Sequence, residues 1–543
     1  MTQMDSDWWK HTVCYEIYPS SFKDSNGDGV GDIKGITSRL DYLKSLGVGC
    51  IWLTPVYASP MKDNGYDVSD FYQINPLYGS MDDMDELLAE AKARGMKIVM
   101  DLVFNHMSEE SAWFLESKKS KDNPKSDWFI WRDQPNNWRG IFGGSAWTYS
   151  EERKQYYLHT FGSFQPDLNW ENPEVRKALY DIANFWIQKG VGGFRIDAIV
   201  YIKKPSDFAD GKPDASDGTV FIHDMTANTE GILDFLHEFK KNVLDGKNVF
   251  TVGEANGIHP EELHRWVGKD GVFDMLFEFN HLQGGDIWYR PIRLSTLDVK
   301  KAIFQSQKAT EKNGWYPIFF ENHDKPRSVN AYFSEKANKE LASKALITLL
   351  LTLRGTPFVY EGEEIGMSNV NWNSIDDYNE LNSRSQYEMA LQEGFSHEQS
   401  IGFVKALSRD NARTPMQWND SLNAGFSLGK PWLQLNENFT QVNVASQEKD
   451  PNSPLNYFKR LSQLRKNHAV LLNGDFAPIL ESDPQIFAYR RTWNGKSLTV
   501  LVNLSEMEAS YASQIVERQT LIFSNLDGVK LGTLRPLEAN IFE

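Results

Sequence analysis

The sequence predicts an α/β protein built on a closed (β/α)8 (TIM) barrel, with a domain inserted after the third strand and an antiparallel β domain at the carboxyl end. Three observations carry this prediction. Short apolar runs bounded by turn residues recur through about the first 360 residues, amphipathic segments separate many of them, and the runs number close to eight. Alternating strand and helix at that count favours a closed parallel barrel over an open sheet.

The runs are GVGCIWLTPVY, MKIVMDLVFNH, GGFRIDAI, VFTVGEA, FDMLFEF, YPIFFENHD and GTPFVYEGEE. Between them, DIKGITSRLDYLKSLG and MDDMDELLAEAKARG place apolar residues at helical spacing with charges on the other face. The alternation lapses between His106 and Trp170 into a Trp- and Asn-rich stretch too long for an ordinary loop, read as an inserted domain over 105–169. The barrel itself is assigned to 1–104 and 170–467. A second irregular stretch, about 367–450, is dense in Asn, Ser and Gln and is expected beside the barrel mouth. From 468 to 543 short alternating runs such as IFAYRRTW and SLTVLVNL read as a separate β domain.

Composition excludes several function classes. A chain of 543 residues with 41% apolar and 13% aromatic content buries ample core, and its net charge of −17 works against nucleic acid or an anionic membrane as partner. A neutral small ligand is favoured. MTQMDSDWWKHTVCYEIYPSSF lacks the basic start and apolar core of a secretory signal, and no run has the length of a membrane span. The expectation is a cytoplasmic, soluble monomer. Cys14 and Cys50, both in apolar contexts, read as buried thiols in a reducing compartment.

Polar residues gather where strands end, which is where such barrels keep their chemistry. Asp101, Asn105 and His106 close MKIVMDLVFNH, Arg195 and Asp197 close GGFRIDAI, Glu254 closes VFTVGEA, and Asn322, His323 and Asp324 close YPIFFENHD. Helix capping explains an isolated Asp or Asn at such a point, but not Glu254 and two histidines in the same series. Converging carboxyl groups without a nucleophilic cysteine, a phosphate loop or zinc-ligand spacing point to glycosidic bond chemistry. A retaining mechanism uses two carboxyls, and three candidates stand here: Asp197, Glu254 and Asp324. Spacing alone does not divide the tasks among them.

DLVFNH, GFRIDAI, VGEA and ENHD, in that order, resemble the conserved regions of the α-amylase family of retaining glycoside hydrolases, family 13. QPDLNW and RDNARTPMQW are similar to the branch holding oligo-1,6-glucosidases, dextran glucosidases and bacterial α-glucosidases. The resemblance covers nearly the whole chain. It implies Asp197 as nucleophile, Glu254 as general acid/base and Asp324 as the residue gripping the sugar hydroxyls. Arg195 is then expected to keep Asp197 ionised. It further implies that Gln165, His106 and His323 bind the same glucose, and that Asp63, Tyr66 and Arg413 close the pocket around a non-reducing terminal unit, making the enzyme exo-acting. Without the family, Arg413 would be read as an ion-pair partner of Asp410 or another loop acid.

DSNGDGVGD offers oxygen ligands at alternate positions, namely Asp24, Asn26, Asp28, the Val30 carbonyl and Asp32. That alternation suits Ca2+, with Mg2+ as the alternative; the twelfth position is Gly35 rather than a bidentate Glu, so it is no EF-hand sensor loop. The resemblance implies a structural ion and no organic cofactor.

Two positions bear on linkage. Enzymes of this branch that prefer α-1,6 bonds typically carry Val after the nucleophile and Trp or Pro two residues after the acid; here these are Ala198 and Asn256. Both departures predict an α-1,4-acting exo-α-glucosidase releasing glucose from maltose and short oligosaccharides, with transglucosylation open to it. The alternative is an oligo-1,6-glucosidase acting on isomaltose or panose. Lys325, a cation after Asp324, keeps a phosphorylated disaccharide in view, or else pairs with Glu321. A sucrose isomerase ranks third, because the Arg-rich aromatic loop expected after the seventh strand is not seen. A catalytically dead transporter partner is remote, since all three acids are present.

Overall fold

The computed structural model describes residues 7–268, 270–282, 289–312 and 314–543; Met1–Ser6 of the amino-terminal stretch lie outside them. Eight strands form the central sheet: β1 (Val13–Ile17), β2 (Val48–Leu53), β3 (Lys97–Val103), β4 (Gly193–Asp197), β5 (Phe250–Glu254), β6 (Met275–Phe277), β7 (Pro317–Ile318) and β8 (Thr356–Tyr360). Their order in the sheet is β6-β5-β4-β3-β2-β1-β8-β7. Apart from β6 and β7, which stand at the two ends of this order, strands consecutive in sequence are neighbours, and β1 lies beside β8, as in a (β/α)8 barrel. All seven apolar runs contain a strand. The first strand comes from VCYEI, whose continuous burial leaves no alternation to see.

Contacts divide the chain into two compact units: residues 52–92 with 97–278, and residues 1–51, 93–96 and 279–543. In the first, β3, β4, β5 and β6 pair in parallel, with Arg195 opposite Asp101 on one side and Val252 on the other. The helix Pro173–Lys189 leads into β4. Asn172 caps it through the Glu174 N–H, Pro173 occupies the first turn, and Val175, Leu179, Ile182, Ala183 and Trp186 make its buried stripe. Gly190 ends it at φ 103°, and a Cβ on Gly193 would stand 2.2 Å from the Phe250 carbonyl oxygen, so strand contact there requires glycine. The insertion after β3 holds a three-stranded antiparallel sheet, Trp131–Arg132, Gln155–Leu158 and Trp147–Ser150. Its core of Trp138, Ala146, Trp147 and Leu158 also takes in Val220 and Ile222, from beyond β4.

In the second unit β1, β8 and β7 pair in parallel. The expected helix over DIKGITSRLDYLKSLG is two, Ile33–Thr37 and Leu40–Ser45. Thr37 and Ser38 turn their hydroxyls back onto the Ile33 and Gly35 carbonyls, which competes with the helical ladder at the break. The stretch read as irregular contains two helices, Leu381–Gln392 and His397–Leu407. They bury few side chains, so their apolar stripe is faint. Val370, Trp372, Tyr378, Ile401, Val404 and Leu433 form the small core there. The C-terminal sheet is antiparallel, made of β9 (Asp475–Ile479), β10 (Ile486–Trp493), β11 (Lys496–Asn503), β12 (Leu521–Ser524) and β13 (Ala539–Phe542), in the order β9-β10-β11-β13-β12. The buried Lys300 ammonium donates to the carbonyls of Leu480, Asp483 and Ile486, at 2.7, 2.5 and 3.0 Å, and so ties the helix Thr296–Ala309 to this sheet.

Cys14 and Cys50 are buried free thiols. No helix among the described residues is long and apolar enough to cross a membrane.

Candidate active site

Period-two alternation on β4 puts Arg195 and Asp197 on one face of the strand. The Arg195 guanidinium, 1% exposed, binds three carboxyl groups. Nη1 donates to Asp101 Oδ1 and Oδ2 at 2.9 and 3.0 Å and to Asp197 Oδ1 at 2.5 Å, and Nη2 lies 2.7 Å from Glu254 Oε2. Three acids therefore share one buried cation. Burial pushes the Asp197 carboxyl well above its usual range, Glu254 and Asp101 push it further, and Arg195 opposes them. Asp101 is pushed up to about 6 by burial, against the pull of Arg195 and the Tyr66 hydroxyl. Arg195 thus pulls Asp197 towards its ionised form, as expected, while burial and the two neighbouring acids pull the other way. Asp101 and Asp197 are both held above the usual carboxylate range by burial.

The turn after the strand joins the two acids. Ala198 stands at φ 46°, ψ 33°, and its N–H donates to Glu254 Oε2 at 3.0 Å. A left-handed non-glycine backbone costs of order 1 kcal/mol, and here it aims a donor at the acid.

Around this centre the same unit arranges the other predicted residues. Tyr66 donates its hydroxyl to Asp101 Oδ2 at 3.0 Å, and the Gln165 amide donates to Asp63 Oδ2 at 2.9 Å. His106 is fully buried; its Nε2 lies 3.1 Å from the Tyr66 carbonyl and its Nδ1 3.2 Å from the Asn105 amide nitrogen. Those partners assign the Nε2–H tautomer. Burial lowers its pKa to about 4, so the ring is neutral.

In the other unit, Asp324 Oδ1 is gripped by two arginines, Arg413 Nη2 at 2.7 Å and Arg409 Nη1 at 3.1 Å. Arg409 also holds Glu380, its Nε 3.0 Å from Oε1. His323, wholly buried, has Nδ1 2.5 Å from Glu16 Oε1 and its ring stacked on Tyr18 at 6.2 Å.

With this geometry in place, the comparisons decide the family. Residues 16–474 match the alpha-amylase catalytic domain. The chain belongs to the alpha-amylase family. This family member is 44% identical, over 99% of both chains, to the oligo-1,6-glucosidase of Halalkalibacterium halodurans, and 42% identical, over 93% of both, to the glucan 1,6-alpha-glucosidase of Streptococcus pneumoniae. Among solved structures it is similar to the trehalose-6-phosphate hydrolase of Bacillus licheniformis (TM-score 0.93, 38% identity, 98% of this chain and 99% of that one). It is equally similar to the isomaltulose synthase of Klebsiella (TM-score 0.93, 36% identity, 98% and 99%).

The relatives overturn the α-1,4 linkage expected from Ala198 and Asn256, because those named by linkage are α-1,6 enzymes. The physical reason lies at Ala198. Its backbone is committed to a left-handed turn that holds Glu254, and a methyl-scale change beside a sugar shifts preference by only about 1–3 kcal/mol. The residue therefore reports on the turn as much as on the substrate.

The structure also shows partners of other residues singled out in this alpha-amylase family member. Arg413 pairs with Asp324, while Asp410 accepts the N–H groups of Asn379 and Glu380. Glu321 pairs with Arg327 at 3.1 Å, and the Lys325 ammonium lies over the Phe279 ring at 5.3 Å among its contacts. Two residues of the site carry no signal of their role in the sequence: Arg409, although it opens the RDNARTPMQW stretch, and Lys204. The Lys204 ammonium sits among oxygens of Asp167 (2.8 Å), Asn105 (3.2 Å) and the Tyr201 carbonyl. Only the tertiary fold brings these together.

Proposed function

We propose that this glycoside hydrolase is a retaining exo-α-1,6-glucosidase that releases glucose from isomaltose and short isomalto-oligosaccharides. The observation that supports the chemistry is the cluster of Asp101, Asp197 and Glu254 on the single cation of Arg195; the names of the relatives support the linkage. In this reading an Asp197 oxygen attacks the anomeric carbon as the bond to the leaving oxygen breaks, and Glu254 delivers its proton to that oxygen. A water then gives its proton to Glu254 and attacks the anomeric carbon, freeing Asp197 and releasing glucose with its configuration retained. Asp324, held by Arg409 and Arg413, is assigned to the sugar hydroxyls, as are Asp63, Gln165, His106 and His323. Buried thiols on β1 and β2 fit a cytoplasmic setting. The test is kcat/KM on isomaltose and maltose in parallel. Isomaltose is expected to exceed maltose by at least about tenfold, the scale a shaped pocket supplies; a preference for maltose overturns the linkage.

A structural calcium is proposed for the loop 24–32. The alternation of oxygen donors along the loop supports it, and Asp24, Asn26 and Asp28 each accept the N–H two residues on, which curls the backbone. Asp24 and Asp32 are buried, while no group of three or more acidic, His or Cys side chains forms a metal cluster among the described residues. Neutral oxygens of Asn26 and Val30 would complete the set. The ion would hold the loop and take no part in the chemistry. Dialysis against EDTA is expected to lower Tm by several degrees, with recovery on adding calcium; an unchanged Tm removes the ion.

A further inference from the structure

We propose that His223 is a binding residue for the leaving-group sugar, donating its Nε2–H to a hydroxyl beyond the scissile bond. The inference rests on the hydrolysis proposed above and extends it to a residue outside the family motifs DLVFNH, GFRIDAI, VGEA and ENHD. His223 lies on the short helix Ile222–Thr226, and its Nδ1 is 2.6 Å from the hydroxyl of Tyr201. Tyr201 is buried at the end of the turn that follows Asp197, and its N–H donates to the Ala198 carbonyl at 3.1 Å, which fixes the phenol in place. The phenol can donate or accept; in the tautomer that binds the sugar, Tyr201 donates to Nδ1 and the ring proton stands on Nε2.

Nε2 faces the chain just past the acid. A Cβ on Gly257 would stand 3.4 Å from it, and Gly257, at φ +78°, is held in the conformation that glycine favours. The side chain that would fill this space is thus absent. Because Glu254 protonates the leaving oxygen, the residues directly after it border the departing sugar. Asn256, next to Gly257, carries a buried amide oxygen with no hydrogen-bond partner among the described residues. A donor on His223 and an unsatisfied acceptor on Asn256 suit a hydroxyl, which accepts and donates at once.

The test compares a leaving group that has sugar hydroxyls with one that has none. For wild type, His223→Ala, His223→Gln and Tyr201→Phe, kcat/KM is measured on isomaltose and on p-nitrophenyl α-glucoside, and the ratio of the two is read. His223→Ala is expected to lower the isomaltose-to-aryl ratio by about three- to tenfold, the worth of one neutral hydrogen bond. His223→Gln, which keeps an N–H donor, recovers part of the ratio, and Tyr201→Phe, which frees the tautomer, loses less than His223→Ala. If the alanine variant does not fold, His223→Phe is read in its place. A ratio within about twofold of wild type overturns the proposal, whether both rates fall together or neither moves. Should the wild type prefer maltose, the linkage reading fails alone, and the same ratio is taken with maltose.

Discussion

Asp197→Asn lowers kcat/KM on isomaltose by at least about 10^4-fold, as expected for loss of a nucleophile with no substitute, and leaves Tm equal to or above that of the wild type. The first half follows from chemistry, since a carboxamide oxygen does not form the covalent glycosyl intermediate at a useful rate. The second half follows from electrostatics. Asp197 is buried beside Glu254 and Asp101, and its pKa in the fold is raised. A carboxyl with a raised folded pKa contributes stability that is fully present below its unfolded value and is lost as pH rises through the folded value. At neutral pH the charge is thus held at a cost, and the neutral isostere relieves it. Arg195 keeps Asp101 and Glu254 as partners, so no buried cation is stranded. Thermal melts and isomaltose assays on the same preparation check both halves. A loss below about tenfold removes Asp197 from the nucleophile role, and a large drop in Tm would show that the carboxylate serves stability first.

Much of this arrangement is legible in the chain, for reasons that differ by residue. Asp197, Glu254 and Asp324 stand out because short apolar runs stop at them, and the barrel places such stops at the chemical end of each strand. The first strand is hidden because VCYEI, buried on both faces, shows no alternation and follows an ordinary polar start. The helices at 381–407 are hidden because so few of their positions face a core. Networks are least visible. Nothing near Arg195 in sequence says that it also holds Asp101, which depends on the register of β3 against β4. Arg409 gripping Asp324, and Lys204 among Asn105, Asp167 and Tyr201, depend on loops meeting in space. Linkage misled the sequence reading because Ala198 answers to the turn that holds Glu254, a demand that its residue type alone does not reveal.

Arg195→Met is expected to be the most damaging single change to the centre, because it strands three carboxyl groups in a buried site. Removing one partner of a buried ion pair typically costs about 3–5 kcal/mol. Here the acids respond first by taking up protons. Arg195 lowers the pKa of both Asp197 and Asp101, so without it burial and mutual repulsion push both further up, Asp101 keeping only the pull of the Tyr66 hydroxyl. Asp197 is then ionised only at higher pH, and the acidic limb of kcat/KM moves upward by about one unit or more. The stability deficit carries the same signature. It is greatest at neutral and alkaline pH, where the unfolded chain ionises these acids and the folded one resists, and it shrinks as pH falls towards the ordinary carboxylate range. Arg195→Lys separates charge from geometry: a single ammonium retains the sign but not the fork that reaches Asp101 and Asp197 through Nη1 and Glu254 through Nη2, so its limb moves less while kcat still falls. Profiles of kcat/KM against pH, with urea midpoints at pH 7 and pH 5, test the argument. An acidic limb that stays in place in Arg195→Met, with an equal loss of stability at both pH values, would mean that the arginine only fills space.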